Sequence, residues 1–355
     1  MNRIVLIGNG FDLAHGMSTG YKDFLQDFWR NTIKKVRESP FNEKYEDEEI
    51  SIDYLPMKWI GDDSFSSFSM NFKHPNKGRL KFNNRFLERI NAKNNLQNWV
   101  DIENEYYLSL KEAVLGSGFK HYMPTLNLEF EKIKILLENY LGVIETDFSK
   151  KKNEMMNKDI QSNIYSNFKV RDFSEGVLDD FELMPKQILF LNFNYTFTEL
   201  LYIDQNDTNQ KTIAESIHIH GSLKAEDKNP MIFGFGDEID EEYKSIENLN
   251  DNSCLENIKS IRYSDTDNYK KLLRFVNSGR YQIFIFGHSC GLSDRTLLNT
   301  LFEHKNCVSI KPFYHKKSDG DDNYSDIIRN ISRNFNDKVK MRDKVVNKKY
   351  CEPLC

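Results

Sequence analysis

The sequence predicts an α/β fold, a doubly wound parallel sheet with a large helical insert after its first strand, and three observations carry that expectation. Short, nearly continuous apolar runs occur at residues 4–7, 188–191, 231–235 and 281–286, each followed by Gly, Asn or another turn former. Such runs read as strands buried on both faces, which is the mark of a parallel sheet. Helical patterns follow several of them, at 197–202 and 296–303, giving the strand–helix alternation of a two-sided sheet. The first and second runs are separated by far more chain than one crossover needs.

In chain order, the first run enters a glycine turn and is taken as the first, Rossmann-like strand. The insert spans 25–184, with helical periodicity at 98–114, 126–140 and 173–181 and a polar, Asn-rich stretch at 40–81 read as loops. The second, third and fourth runs follow it. Residues 217–219 offer a fifth strand, alternating apolar positions with His218 and His220. The expected layout is a core of 1–24 and 185–335, the helical insert, and a charged tail, 336–355, open between helix, arm and disorder.

Composition narrows the class. Aromatics make up 13% of the chain, enough to fill a large core although aliphatics are lean. The net charge of −5 gives no global basic field, so nucleic acid is not an expected partner, although the basic stretch 329–349 leaves a local patch open. Five scattered cysteines form no CxxC pair, which removes a zinc ribbon and fits reduced thiols. The opening MNRIVLIGNG is too short for a signal peptide, and no run reaches the ~18–20 apolar residues of a membrane span, so a cytoplasmic protein is expected.

Four strings carry chemistry. IVLIGNGFD at 4–12 places Gly8, Asn9, Gly10, Phe11 and Asp12 at a sharp turn after a buried strand, where a pyrophosphate can approach bare backbone. Leu13 stands where the dinucleotide fingerprint has its third glycine, and the bland alternative is a tight turn with Asp12 as a helix cap. LNFNYT at 191–196 puts two asparagines at a strand end, either as turn formers or as holders of a ribose hydroxyl and a water. IHIHGSL at 217–223 sets His218 and His220 on one strand face if the strand continues. The readings there are a metal pair, a general base at His220, or a satisfied structural histidine. FIFGHSCGLSD at 284–294 contains G-x-S-x-G, the nucleophile-elbow pattern, with His304 and His315 as the later histidines. The same string also serves as a ribose- or phosphate-holding loop through Gly287, His288, Ser289 and Asp294.

Taken together, in this order, the four strings resemble sirtuins. GNGFD followed by Gly16-Met17-Ser18 is similar to their GAG-x-S and GIP-D-F segments, with an added TGYK before Asp23-Phe24. NFNYT is similar to their TQN-x-D, placing the pocket asparagine on Asn194. His220-Gly221 matches their catalytic His-Gly, residues 233–238 resemble the strand after it, and Gly287-His288-Ser289 matches the GTS loop. The zinc-binding CxxC pairs are absent and Thr196 replaces the closing Asp, so the resemblance implies NAD binding or hydrolysis rather than protein deacylation. A finer likeness is to the AbiH family, on IGNGFDLAHG, TGYKDF, Trp99-Val100-Asp101-Ile102-Glu103, NFNYT and GHS-x-G-x-SD. It implies abortive infection against phage, with a phage-derived trigger.

The resemblances imply a set of roles: Asn194 and His220 as catalytic residues, the Gly8–Asp12 turn and the Ser289 loop around NAD as substrate, His15 and Asp294 on the pocket wall, and no metal. Self-association through the insert is the expected control. Residues 99–105 are read either as a solvated helix anchored by Trp99 or as carboxylates closing over the pocket. NAD or ADP-ribose sensing without turnover, ADP-ribosyl transfer, and a metal-dependent nuclease using Asp101, Glu103 and Glu105 are the competing functions.

Overall fold

Strands that bury both faces need a layer of helices on each side, and the chain supplies both. We describe it from a computed structural model that covers residues 1–355 apart from 41, 56–60, 73–77, 94–98, 116–118, 152–154, 179–182, 204–211, 224–227, 318–319 and 355, with the backbone alone at 99, 100 and 119–121. Eight strands occur among the described residues: β1 (Asn2–Ile7), β2 (Tyr45–Glu46), β3 (Ile50–Ile52), β4 (Leu80–Phe82), β5 (Gln187–Asn192), β6 (Ile213–His218), β7 (Tyr281–Phe286) and β8 (Cys307–Phe313). Two compact units divide the chain, one of Met1–Met17, Leu141–Asp251 and Asn257–Cys355, the other of Ser18–Tyr140 with Asn252–Glu256.

The first unit holds a five-stranded sheet in the order β6-β5-β1-β7-β8, with every neighbouring pair parallel. Alternate residues go to opposite faces. Ile4, Leu6, Leu189, Leu191, Ile283 and Ile285 pack beneath helices Asn268–Asn277, Arg295–Glu303 and Tyr324–Arg333. Val5, Ile7, Ile188, Phe190, Phe284 and Phe286 pack with Phe11 and with Ile160 and Ile164 of helix Lys158–Ile164. Each such side chain contributes roughly 1.5–3 kcal/mol of burial, so the centre of the sheet is the stable part of this unit.

The chain lays down β1, β5 and β6 in one direction, then returns to the other side of β1 for β7 and β8. The strand order therefore reverses between β1 and β7. In open α/β sheets ligands bind outside the carboxyl ends of the strands at such a point. The loops that follow β1, β5, β6 and β7 carry all four chemistry-bearing strings.

The fifth candidate, 217–219, falls in β6 as far as His218, whereas the third apolar run differs from expectation. Residues 231–235 are buried but irregular, with a bend at Gly234, and join neither sheet; Phe235 bridges to Ile258, and the Ile232 amide donates to the His220 carbonyl. The outer place beside β7 belongs to β8, whose Ser309 and Lys311 mask its apolar run. Both polar groups are buried on partners: Ser309 Oγ donates to the Asp172 carbonyl, and Lys311 Nζ lies 2.8 Å from Glu352 and 3.3 Å from Asp172. Pro312 is tolerated because β8 is an edge strand and needs no further ladder donor there. The expected helix at 197–202 is a short 3-10 turn, Thr198–Leu201. The charged tail forms helix Lys338–Lys344 and then an arm along β8, bridging Val345 to Ile310 and Pro353 to Tyr314.

The second unit is not wholly helical. Where loops were expected at 40–81, β2, β3 and β4 form an antiparallel sheet of two- and three-residue strands, too short to show a period in the sequence. Ile50 and Ile52 of this sheet pack on Trp29, Ile33 and Val36 of helix Tyr21–Glu38 and on Phe68 and Phe72. Helices Trp99–Leu115 and Phe119–Lys151 confirm two of the three helical periodicities. The third is absent at 173–178, which is turn and bend after a 3-10 turn at Val170–Asp172, and its last residues lie outside the described ones. Among the described residues no helix is long and apolar enough to cross a membrane.

Candidate functional site

The turn after β1 is locked to the turn after β7. Gly10 N donates to the Gly287 carbonyl at 2.9 Å, Gly8 N donates to Phe286 at 3.2 Å, and Phe11 N closes back on Gly8 at 2.8 Å. A Cβ at Gly8 would lie 2.6 Å from the His288 Cα, and one at Gly287, whose φ is +69°, would lie 2.1 Å from the Phe11 nitrogen. The glycines are thus demanded by the approach of two backbones. The Gly8, Gly10 and Phe11 amides are already spent on carbonyls, so the expected pyrophosphate cradle is not open at those three groups.

Behind this lock, the loop after β5 builds a buried polar network. Thr196 and Thr198 donate to the two oxygens of Asp12 at 2.6 and 2.8 Å, and Asn194 Nδ2 donates to the Gly8 carbonyl at 3.0 Å. Burial pushes the Asp12 carboxyl up to about 7, against the threonine and Asn194 hydrogen bonds that favour its charge. Glu199, fully buried, accepts from Asn192 at 2.7 Å and Ser216 at 3.1 Å and faces His218 Nε2 at 2.8 Å. Burial alone would lower His218, but the charge and hydrogen bond of Glu199 outweigh it and hold the ring above its ordinary value.

The loops after β6 and β7 meet on Asp294, which ends the turn Leu292–Asp294. Its Oδ1 lies 2.9 Å from Lys259 Nζ and 3.3 Å from His220 Nε2, and its Oδ2 lies 3.5 Å from His288 Nε2. The Tyr263 hydroxyl is 3.2 Å from His220 Nε2. The Phe193 ring stands edge-on to both His220 and His288, with centroids 5.0 and 4.2 Å away, joining the ends of β5, β6 and β7. His288 Nδ1 accepts from the Cys290 amide at 3.0 Å, leaving the Nε2 proton for Asp294. Burial first, and Lys259 second, drive His220 down to about 3 in spite of Asp294. Asp294 itself is held well below the carboxylate range: burial would raise it, and Lys259 and His220 overcome that.

A family model described as bacteriophage abortive infection AbiH matches residues 4–315, from β1 to just past β8. The chain belongs to the AbiH family. Membership implies a role in abortive infection of phage. No curated protein and no solved structure matches the chain.

Within this AbiH-family chain, Asn194, His220, Gly8, Gly10, Asp12, Gly287, His288, Ser289 and Asp294 all stand at the carboxyl end of the sheet. Asn9, Gly10, Gly287 and Ser289 are its half-buried rim, and Asn194, His220 and Asp294 lie beneath. His15 and Phe11 are elsewhere. The Phe11 ring enters the apolar core of the opposite face, and His15 is tied to the Phe11 carbonyl at 2.7 Å and the Tyr202 hydroxyl at 2.5 Å. His15 is therefore a satisfied structural histidine.

His218 and His220 do not form a metal pair. The strand ends at His218, the alternation breaks, and the two rings turn to different carboxylates. Among the described residues no three His, Cys, Asp or Glu are grouped to hold a metal ion. The solvated-helix reading of 99–105 is also overturned, because Glu103 and Glu105 are buried and Glu105 is paired with Arg89 and Lys93; the Trp99 side chain lies outside the description. The second unit has its own cavity of about 480 Å³, bordered by Trp29, Phe65, Lys22, Arg30, Asp62 and Asp63, which contains none of the predicted site residues. Ionisable groups with displaced pKa values gather at the carboxyl end of the sheet, which makes it the candidate site.

Glu199, Lys259 and Tyr263 were missed by sequence reasoning. Lys259 and Tyr263 are four residues apart, the spacing of one helical face, in a segment whose short helix, Lys259–Arg262, gives little periodicity.

Proposed function

We propose that this AbiH-family protein acts in abortive infection by hydrolysing NAD to nicotinamide and ADP-ribose. The observation that carries the reading is that Asn194, which donates to Gly8 of the β1 turn, and a neutral His220, which faces Asp294 of the loop after β7, are both buried at the point where strand order reverses. The order of motifs along the chain, similar to that of sirtuins, supports the same choice.

In this mechanism NAD lies across the rim, with Asn9 and the Ser289 loop against the nucleotide. Asn194, whose amide nitrogen is held by the Gly8 carbonyl and Asp12, presents its amide oxygen to the nicotinamide ribose or the attacking water. The C1′–N bond breaks through an oxocarbenium-like state, and its electron pair leaves with nicotinamide, which departs neutral. Water bonds to C1′ and gives its proton to His220, whose uncharged ring is the accepting form. The protein's work is positioning and exclusion of competing nucleophiles.

Purified protein incubated with NAD should release nicotinamide and ADP-ribose in equal amounts, and His220→Ala and Asn194→Ala should each reduce release at least ~100-fold. Undiminished release in both variants would remove the mechanism. A second reading, binding of NAD or ADP-ribose without turnover, is favoured by the low basicity of His220. Thermal stabilisation by NAD with no nicotinamide formed would decide for it.

A further inference from the structure

We propose that Asp294 is a positioning residue for His220 rather than a nucleotide ligand, and that Lys259 sets how much of the Asp294 charge His220 feels. The proposal deepens the hydrolase reading and rests on it for its functional meaning. Its structural content stands on the side chains themselves.

Both Asp294 oxygens face inward, Oδ1 to Lys259 and His220, Oδ2 to His288. Its residue is 4% exposed, His220 is 4% and Lys259 is 1%, so neither oxygen is offered to a ribose hydroxyl at the rim. His220 Nε2 faces both the Tyr263 hydroxyl and Asp294 Oδ1, and as a proton acceptor the neutral ring carries its proton on Nδ1. Nε2 then accepts from the Tyr263 hydroxyl. When Nε2 takes a proton from water, the Tyr263 hydroxyl turns its own proton away from that lone pair, and Asp294 Oδ1 is already in place to receive the new N–H.

The same oxygen is closer to the Lys259 ammonium, 2.9 Å against 3.3 Å. Lys259 and the His220 ring compete for one carboxylate oxygen, and the nearer group, Lys259, holds it. The charged and titratable groups around His220 are Lys259 and Tyr263 from the Lys259–Arg262 helix and its end, Asp294 from the Leu292–Asp294 turn, and His288 from the loop after β7. Lys259 therefore keeps the base uncharged and easily discharged, and Asp294 keeps it aimed.

The test follows the imidazole nitrogens of ¹⁵N-histidine-labelled full-length protein against pH, with His220 assigned by loss of its signals in His220→Gln. In the wild type His220 should stay neutral down to acid. In Lys259→Met its titration should move up by about 1–3 pH units, because Asp294 Oδ1 then faces His220 without the competing lysine. In the double variant Lys259→Met/Asp294→Asn that rise should disappear, and removing both charges together avoids leaving one buried ion unpaired. A rise that persists in the double variant, as simple loosening of the packing would give, overturns the proposal, as does an unmoved titration in Lys259→Met. None of these readouts uses NAD turnover, so a chain that shows the shifts yet releases no nicotinamide fails the hydrolase reading alone. If nicotinamide is released, the acid limb of kcat/KM should move with the titration.

Discussion

His218 and His220 are two residues apart, the first nearly and the second fully buried, and each faces a buried carboxylate, yet their pKa values move in opposite directions. His218 faces Glu199 at 2.8 Å and is held above its ordinary pKa; His220 faces Asp294 at 3.3 Å and falls to about 3. Burial acts on both rings in the same direction, so it does not explain the difference. What differs is the company of the carboxylate. Glu199 accepts from the neutral donors Asn192 and Ser216, which leave its charge to His218, whereas Asp294 has Lys259. One network favours the charged form of His218 beside Asn194, and the other disfavours the charged form of His220. The lesson is that a histidine beside a carboxylate is not by that fact a cation; the carboxylate's other partners decide.

The largest way to break the comparison is to delete each carboxylate. Asp294→Ala leaves the Lys259 ammonium buried without its partner and should cost ~3–5 kcal/mol in denaturant unfolding, at any pH from 6 to 9. Glu199→Ala should cost less, and less again as pH rises, because His218 can escape its unpaired charge by losing the proton. Equal, pH-independent losses would contradict the charge assignment.

The pH dependence of stability sharpens the same contrast. His220 is lowered, so between its ordinary 6.5 and about 3 the unfolded chain binds a proton that the folded chain refuses. Its share of stability is present above that window and is lost as pH falls through it, by on the order of a few kcal/mol, and His220→Gln should flatten the slope. His218 is raised, so its share is present below 6.5 and is lost as pH rises through the elevated value. His218→Gln should flatten the alkaline side instead, as read from unfolding midpoints across pH. The smallest effect is at the carboxyl that stays near neutrality: Thr198→Val removes one hydrogen bond to Asp12 and should cost ~1–2 kcal/mol while raising the Asp12 titration further.

Much of this sheet was legible. Residues 4–7, 188–191 and 281–286 are apolar on both alternating faces, a pattern that central parallel strands require and surface segments lack. The edges were harder. β6 is half exposed and polar, and β8 hides Lys311 and Ser309 on buried partners, while 231–235 is as apolar as a strand but spends its buried face on a loop. The places of His220, His288 and Asp294 at the carboxyl end of the sheet were legible because each adjoins a strand-end glycine or closes its turn. Glu199 and Lys259 were not. Charged side chains are rarely buried without a partner, and their partners lie 19 and 35 residues away along the chain, where no local period reports them. The G-x-G turn was read for its bare amides, and its glycines serve the approach of a second loop instead.

The most direct measurement of the central claim is the NAD content of phage-infected cells carrying the wild-type chain beside cells carrying His220→Ala at matched protein level. The account predicts that NAD falls and nicotinamide rises after infection in the wild type alone, together with protection of the culture. Protection that persists while NAD stays constant, or that survives His220→Ala, would contradict it.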